Sequence, residues 1–154
     1  IMATEIAATM APTLRKTPYQ LELEIEDGLF MNSYPGPLGQ VITNFVNNAL
    51  LHAFEGMNDG KMTLSARDKP DTGFIQLSFS DNGRGMDAEH LKHIFDPFFT
   101  TRLGQGGSGL GLNIVYNLVT RILGGSIEVS SRPWKGTTFA LYLPKVAPDR
   151  EAQD

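Results

Sequence analysis

The sequence predicts a single α/β domain with its helices mainly on one face of a sheet. Two long stretches, residues 38–54 and 110–123, repeat their apolar residues at helical spacing. Several shorter stretches alternate apolar and polar residues as half-buried strands do. A chain of 154 residues, 41% hydrophobic and 19% charged, can bury one core and is too apolar to stay wholly disordered.

In chain order, residues 2–15 carry helix formers with apolar spacing at Ile6, Met10 and Leu14, broken by Pro12. Leu21, Leu23 and Ile25 alternate with glutamates and predict a strand ending at Asp27-Gly28. Residues 30–34 read as a short second strand, closed by Pro35-Gly36-Pro37. The helix over 38–54 presents Val41, Ile42, Phe45, Val46, Ala49 and Leu50. Residues 61–68 and 74–80 form a hairpin across the turn at 69–73. Residues 87–93 predict a short helix with Asp87 at its N-terminus, and Pro97 interrupts anything longer. The helix over 110–123 stops at Gly124-Gly125. Residues 126–132 and 137–143 close the sheet across a turn holding Pro133 and Gly136, and a polar, frayed tail follows from Lys145.

Composition excludes several functions. Thirteen basic against seventeen acidic residues, net −4, offer no field to hold a nucleic acid. The chain has no cysteine, so disulfides, thiolate zinc sites and a cysteine nucleophile are out, and a reducing cytoplasm is compatible. No apolar run approaches the roughly 18 residues that span a bilayer, and no signal peptide opens the sequence.

Three features carry chemistry. Residues 104–111 (GQGGSGLG) lead straight into a helix, where glycines admit close approach and unpaired N–H groups favour a phosphate. A flexible surface loop is the plain alternative. Gly104, Gly106 and Gly109 also satisfy G-x-G-x-x-G with Glu128 downstream, so a dinucleotide site stays open, whereas no G-x-x-x-x-G-K-[ST] occurs. The second feature, Asp81-Asn-Gly-Arg-Gly85, follows a strand. Its carboxylate can accept from an exocyclic amine, although D-N-G is also a good turn. The third is a helix row of Asn44, Asn48 and His52, costly to bury without a ligand, whose amide oxygens suit Mg²⁺ carried by phosphates. Asn47 falls on the solvated face.

Together these residues resemble the ATP-binding catalytic domain of bacterial sensor histidine kinases, in the superfamily shared with DNA gyrase, the heat-shock chaperone and mismatch-repair ATPases. QVITNFVNNALLHAF resembles that family's N box, DNGRG its G1 box, FDPFFTTR its F box, GGSGLGL its G2 box and WKGTTF its third glycine-threonine motif, in the family's order across roughly residues 20–144. The resemblance implies an α/β two-layer sandwich, a mixed, mostly antiparallel sheet packed on three helices (the Bergerat-type fold). It implies a connection to a dimerisation and phosphoacceptor domain at 1–18, the catalytic domain at 19–145 and a flexible tail at 146–154.

Carried over residue by residue, the resemblance implies that Asn48 coordinates Mg²⁺ and Asn44 supports the phosphates or a metal-bound water. Asp81 would bond the adenine amine, Gly83 and Gly85 would admit the base, and Thr137 would assist. His52 would touch a phosphate. Gly107, Gly109, Leu110 and Gly111 would offer backbone N–H groups within a lid spanning 95–112. Phe98 and Phe99 would anchor that lid, and Arg102 would either reach the γ-phosphate or stand exposed. Gln40 occupies the place where hydrolysing relatives carry a water-activating glutamate, and an amide cannot be a general base.

His52, His90 and His93 lack the phosphoacceptor context of the family, and His90 and His93 read as exposed residues of a polar helix. The implied protein is therefore the catalytic domain of a two-component kinase. It would bind Mg-ATP and pass the γ-phosphoryl to a histidine on a separate domain and thence to a response-regulator receiver domain. Its parent would be a homodimer with this domain in the cytoplasm. A protein-serine kinase of the same superfamily, a nucleotide-responsive scaffold and a dinucleotide-binding oxidoreductase are the rivals.

Overall fold

The computed structural model describes residues 19–54, 59–97 and 111–149. The helix expected over residues 2–15 lies outside them. So do Phe98, Phe99, Arg102, Gly107, Gly109 and Leu110.

Among the described residues, five strands form one sheet. They are β1 (Gln20–Ile25), β2 (Lys61–Lys69), β3 (Phe74–Asp81), β4 (Ser126–Ser131) and β5 (Thr137–Pro144), in the order β1-β2-β3-β5-β4. β1 pairs parallel to β2 and every other pairing is antiparallel, so the sheet is mixed and mostly antiparallel. The described helices are α1 (Pro35–Asn48), the one-turn α2 (Ala88–Leu91) and α3 (Gly111–Asn117). None is long and apolar enough to cross a membrane.

The period of the strands decides which face is covered. Along β3 the inward positions are Ile75, Leu77, Phe79 and Asp81, and along β5 they are Thr137, Phe139, Leu141 and Leu143. α1 lays Leu38, Val41, Ile42, Phe45 and Val46 on this face, and α3 adds Val115 beside it. Phe45 stacks between Phe79 at 5.5 Å and Phe139 at 4.7 Å.

Two boundaries differ from expectation. α1 begins at Pro35, within the segment read as punctuation, because proline is pre-set for a first helical turn and the Tyr34 carbonyl accepts from Leu38 N–H at 3.0 Å. Residues 30–34 do not form a strand. Asn32 makes a single bridge to Val146, and the chain then turns at once into α1. That bridge also ties back residues read as the start of a tail: Asn32 N–H donates to Lys145, Ala147 N–H to Asn32, and the Tyr34 hydroxyl to Pro148.

Both long helices end in a wide turn. Phe54 N–H reaches the Ala49 carbonyl and Leu123 N–H the Leu118 carbonyl, each five residues back. Gly124, at φ +75°, then reverses the chain into β4.

Candidate nucleotide-binding site

The inward row of the sheet ends in polar residues. Asp81 is 9% exposed and Thr137 6%, and these two are the buried polar residues among those described. They lie opposite each other in register, the last residue of β3 against the first of β5. A cavity of about 300 Å³ opens here, at the low end of the ~300–1,000 Å³ usual for small-molecule sites. Its floor is Asp81, Thr137 and Gly85, and Asn48 and His52 of the α1 segment line one wall.

Asp81 is held from two sides. Gly83 N–H donates to its Oδ1 at 2.8 Å, and Thr137 N–H also bonds the carboxylate. Burial nevertheless dominates and pushes the carboxyl above its usual range, against those two bonds. A buried carboxylate with acceptor capacity at a cavity floor suits a ligand N–H donor.

The loop after Asp81 is pinned at successive residues. Asn82 N–H donates to Lys61, Arg84 N–H to the Ala53 carbonyl at 2.9 Å, and Trp134 N–H to Arg84 at 2.6 Å. A Cβ on Gly83 would sit 2.6 Å from that of Ala53 and against its carbonyl, and one on Gly85, at φ +66°, would strike the Arg132 carbonyl. The glycines are therefore required by the protein's own backbone, which threads between the end of α1 and the β4–β5 turn.

The row of Asn44, Asn48 and His52 is divided. Asn48 and His52 face the cavity, whereas Asn44 does not line it. Asn44 Nδ2 is buried without a hydrogen-bond partner among the described residues. Asn47 and Gln40 are exposed. Gly111 opens α3 with space around it: a Cβ there would meet no atom of the described residues within 4 Å.

His90 departs from its expected place. It is half-buried and lines the cavity, because Asp87 caps α2 through His90 N–H at 2.8 Å and holds the ring Nδ1 at 2.9 Å. Those bonds, the amide first and the imidazole second, keep the Asp87 carboxyl below its usual range. His93 is exposed as expected.

Arg84, Met86, Ile94 and Leu112 also line the cavity and were not singled out from sequence. Met86 stands next to the second glycine of DNGRG, and Ile94 is the last apolar residue before Phe95. Their position beside the recognisable motifs was the available signal. The dinucleotide alternative fails on the fold: the sheet is mostly antiparallel, and Glu128 is exposed on the edge strand β4, outside the cavity.

The profile of the histidine kinase-, DNA gyrase B-, and HSP90-like ATPases matches residues 34–147. The chain belongs to that family. It is 32% identical to the sensor kinase CckA of Brucella abortus, over 98% of this chain and 17% of that protein. It is 40% identical to the sensor histidine kinase ZraS of Klebsiella oxytoca, over 77% of this chain and 24% of that protein. The chain thus spans a quarter or less of the length of these curated relatives. Among solved structures, the catalytic domain of histidine kinase ThkA superposes with a TM-score of 0.76 at 27% identity, covering 93% of this chain and 91% of that one. ThkA has also been solved in complex with the response regulator protein TrrA, where the TM-score is 0.72 at 26% identity, covering 93% of this chain and 39% of that one. Within its family the chain corresponds to the ATPase catalytic domain of sensor histidine kinases.

Proposed function

We propose that this domain binds Mg²⁺-ATP in the cavity floored by Asp81 and presents the γ-phosphoryl to a histidine on a separate domain of its parent. The buried Asp81–Thr137 pair at the cavity floor carries this reading. In it, Asp81 accepts from the adenine amine and Thr137 supports the same edge. The backbone at Gly85 lines the cavity beside the base, and Gly83 seats the loop against Ala53 behind it. Asn48 and His52 face the phosphates, and Asn44, with its buried unpartnered amide, supports them from the same helix.

The donors fit a magnesium ion that arrives with its nucleotide. Among the described residues no group of three or more His, Cys, Asp or Glu side chains could hold a metal unaided. The amide oxygen of Asn48 is a hard donor suited to completing a shell made largely of phosphate and water. When bound, the ion would neutralise phosphate charge. Gly107, Gly109, Leu110 and Gly111 would offer backbone N–H groups to the phosphates, and Arg102 would reach the γ-phosphate.

The residues' work is then positioning rather than bond-making. The acceptor imidazole is its own nucleophile, and with Gln40 no side chain stands in the glutamate's place to activate water. We place the reaction in the cytoplasm of a homodimeric parent, with a receiver domain as the final acceptor, by analogy with the partner seen for ThkA.

Labelled transfer tests the kinase reading. The chain would be mixed with γ-labelled ATP and the histidine-bearing domain of its parent. Acid-labile label on that domain, requiring both components, is expected. ATP binding without any such label would overturn phosphotransfer and favour a nucleotide-responsive scaffold.

A further inference from the structure

Ser131 lies at the end of β4, directly opposite Thr137 in register, and its hydroxyl joins three segments. Met86 N–H reaches Ser131 Oγ at 2.9 Å, the Gly136 carbonyl lies 2.8 Å from Oγ, and Thr137 Oγ1 lies 2.8 Å from it. A serine hydroxyl has one proton to donate and two lone pairs to accept with. A carbonyl only accepts, so the Ser131 proton goes to Gly136. The Met86 amide only donates, so it takes one lone pair. The contact with Thr137 must then run from the threonine: Thr137 Oγ1–H donates to Ser131 Oγ.

The cavity floor inherits that direction. With its one proton committed to Ser131, Thr137 Oγ1 has only acceptor capacity left for a ligand. Asp81, beside it, accepts through its carboxylate. The two buried polar residues of the floor therefore both ask for a ligand donor. An exocyclic amine supplies that, and a carbonyl at the same position meets lone pairs on both sides.

We infer that Ser131 is a positioning residue that fixes the direction of the Thr137 hydroxyl and thereby makes the cavity select a 6-amino over a 6-oxo purine. The inference rests on the adenine-nucleotide reading and adds to it a residue outside the cavity lining. Without Ser131 the threonine hydroxyl is released to donate, which a 6-oxo group accepts.

The test compares ATP with ITP, which carries a carbonyl in place of the amine, by calorimetric titration of this chain. Wild-type protein binding neither nucleotide would overturn the adenine reading itself. Wild-type binding with Ser131→Ala tests only the further inference. Loss of one oriented hydrogen bond changes affinity by about five- to tenfold. Ser131→Ala is therefore expected to lower the ATP-to-ITP affinity ratio by about that factor, and Ser131→Thr, which keeps a hydroxyl, to restore it. Loss of affinity for both nucleotides in equal proportion would mark Ser131 as merely structural and overturn the proposal, as would an unchanged ratio.

A double-mutant cycle provides a second arm. In a Thr137→Val background, which has no hydroxyl to orient, Ser131→Ala must leave the ratio unmoved, and a further drop there contradicts the inference. Should Ser131→Ala not fold, Ser131→Cys, whose thiol is a weak donor and acceptor, is judged by the same two outcomes.

Discussion

Asp81 shows how one residue sets stability against function. Burial raises its carboxyl pKa in the folded chain, so the folded state holds that proton more tightly than the unfolded state does. The stabilisation tied to that proton is complete below the ordinary carboxylate pKa and is lost as pH rises through the raised value. Asp81→Asn, which does not ionise, should therefore melt close to wild type in acid and gain on it as pH climbs toward neutral. Melting temperatures across that window check the sign, and a gap that shrinks with pH would contradict it. The same variant replaces an acceptor by an amide at the cavity floor and should lose ATP affinity by about tenfold or more.

Asn48→Ala tests a different property, the dependence on magnesium. ATP titrated with and without the ion should show a much smaller difference than in wild type. At this scale the motif residues were legible, because Asn48, His52, Asp81 and Thr137 do meet at one cavity. His90 was misplaced and Ser131 unseen. The first depends on a cap that turns one side of α2 toward the cavity. The second depends on a contact between residues 45 apart in sequence, which no local pattern encodes.

Among the elements, α1 gives the core more buried side chains than any other, whereas Phe30, on the segment before it, is exposed. Phe45 is fully buried between two rings, so Phe45→Ala should cost about 3–5 kcal/mol. Phe30, 62% exposed, should tolerate serine within about 0.5 kcal/mol. Calorimetric unfolding of the two variants separates these cases. Gly85→Ala combines a left-handed backbone with a clash at the Arg132 carbonyl and should cost at least about 1–3 kcal/mol.

The hairpin strands were legible because the inward rows of β2 and β3 alternate with polar neighbours, as Ile75, Leu77 and Phe79 do. Element ends were less so. Pro35 both breaks and begins helices, and only the Tyr34 carbonyl decides which. Residues 30–34 sit between turn residues as a short strand would, yet Asn32 makes one isolated bridge, to Val146, before Pro35 starts α1. The wide turns at Ala49–Ala53 and Leu118–Ile122 leave no mark on apolar spacing.

For the molecule as a whole, the binding site is where the core ends. The same alternation that buries Phe79 and Phe139 delivers Asp81 and Thr137 to the rim, so ligand and core share one sheet face. Binding must then stabilise the whole domain. ATP at 100 times its dissociation constant should add about 2.7 kcal/mol to unfolding. Gln40→Glu, placing a carboxylate one turn before Asn44, should raise slow ATP hydrolysis measurably, and phosphate release assays would show it.

The most direct measurement is calorimetric titration of this domain with ATP, with and without Mg²⁺, against GTP and NAD and repeated with Asp81→Asn. Selective one-site ATP binding, strengthened by Mg²⁺ and lost in the variant, is the predicted result. ATP binding equally well to the Asp81→Asn protein, or NAD competing for the site, would contradict the assignment of the cavity.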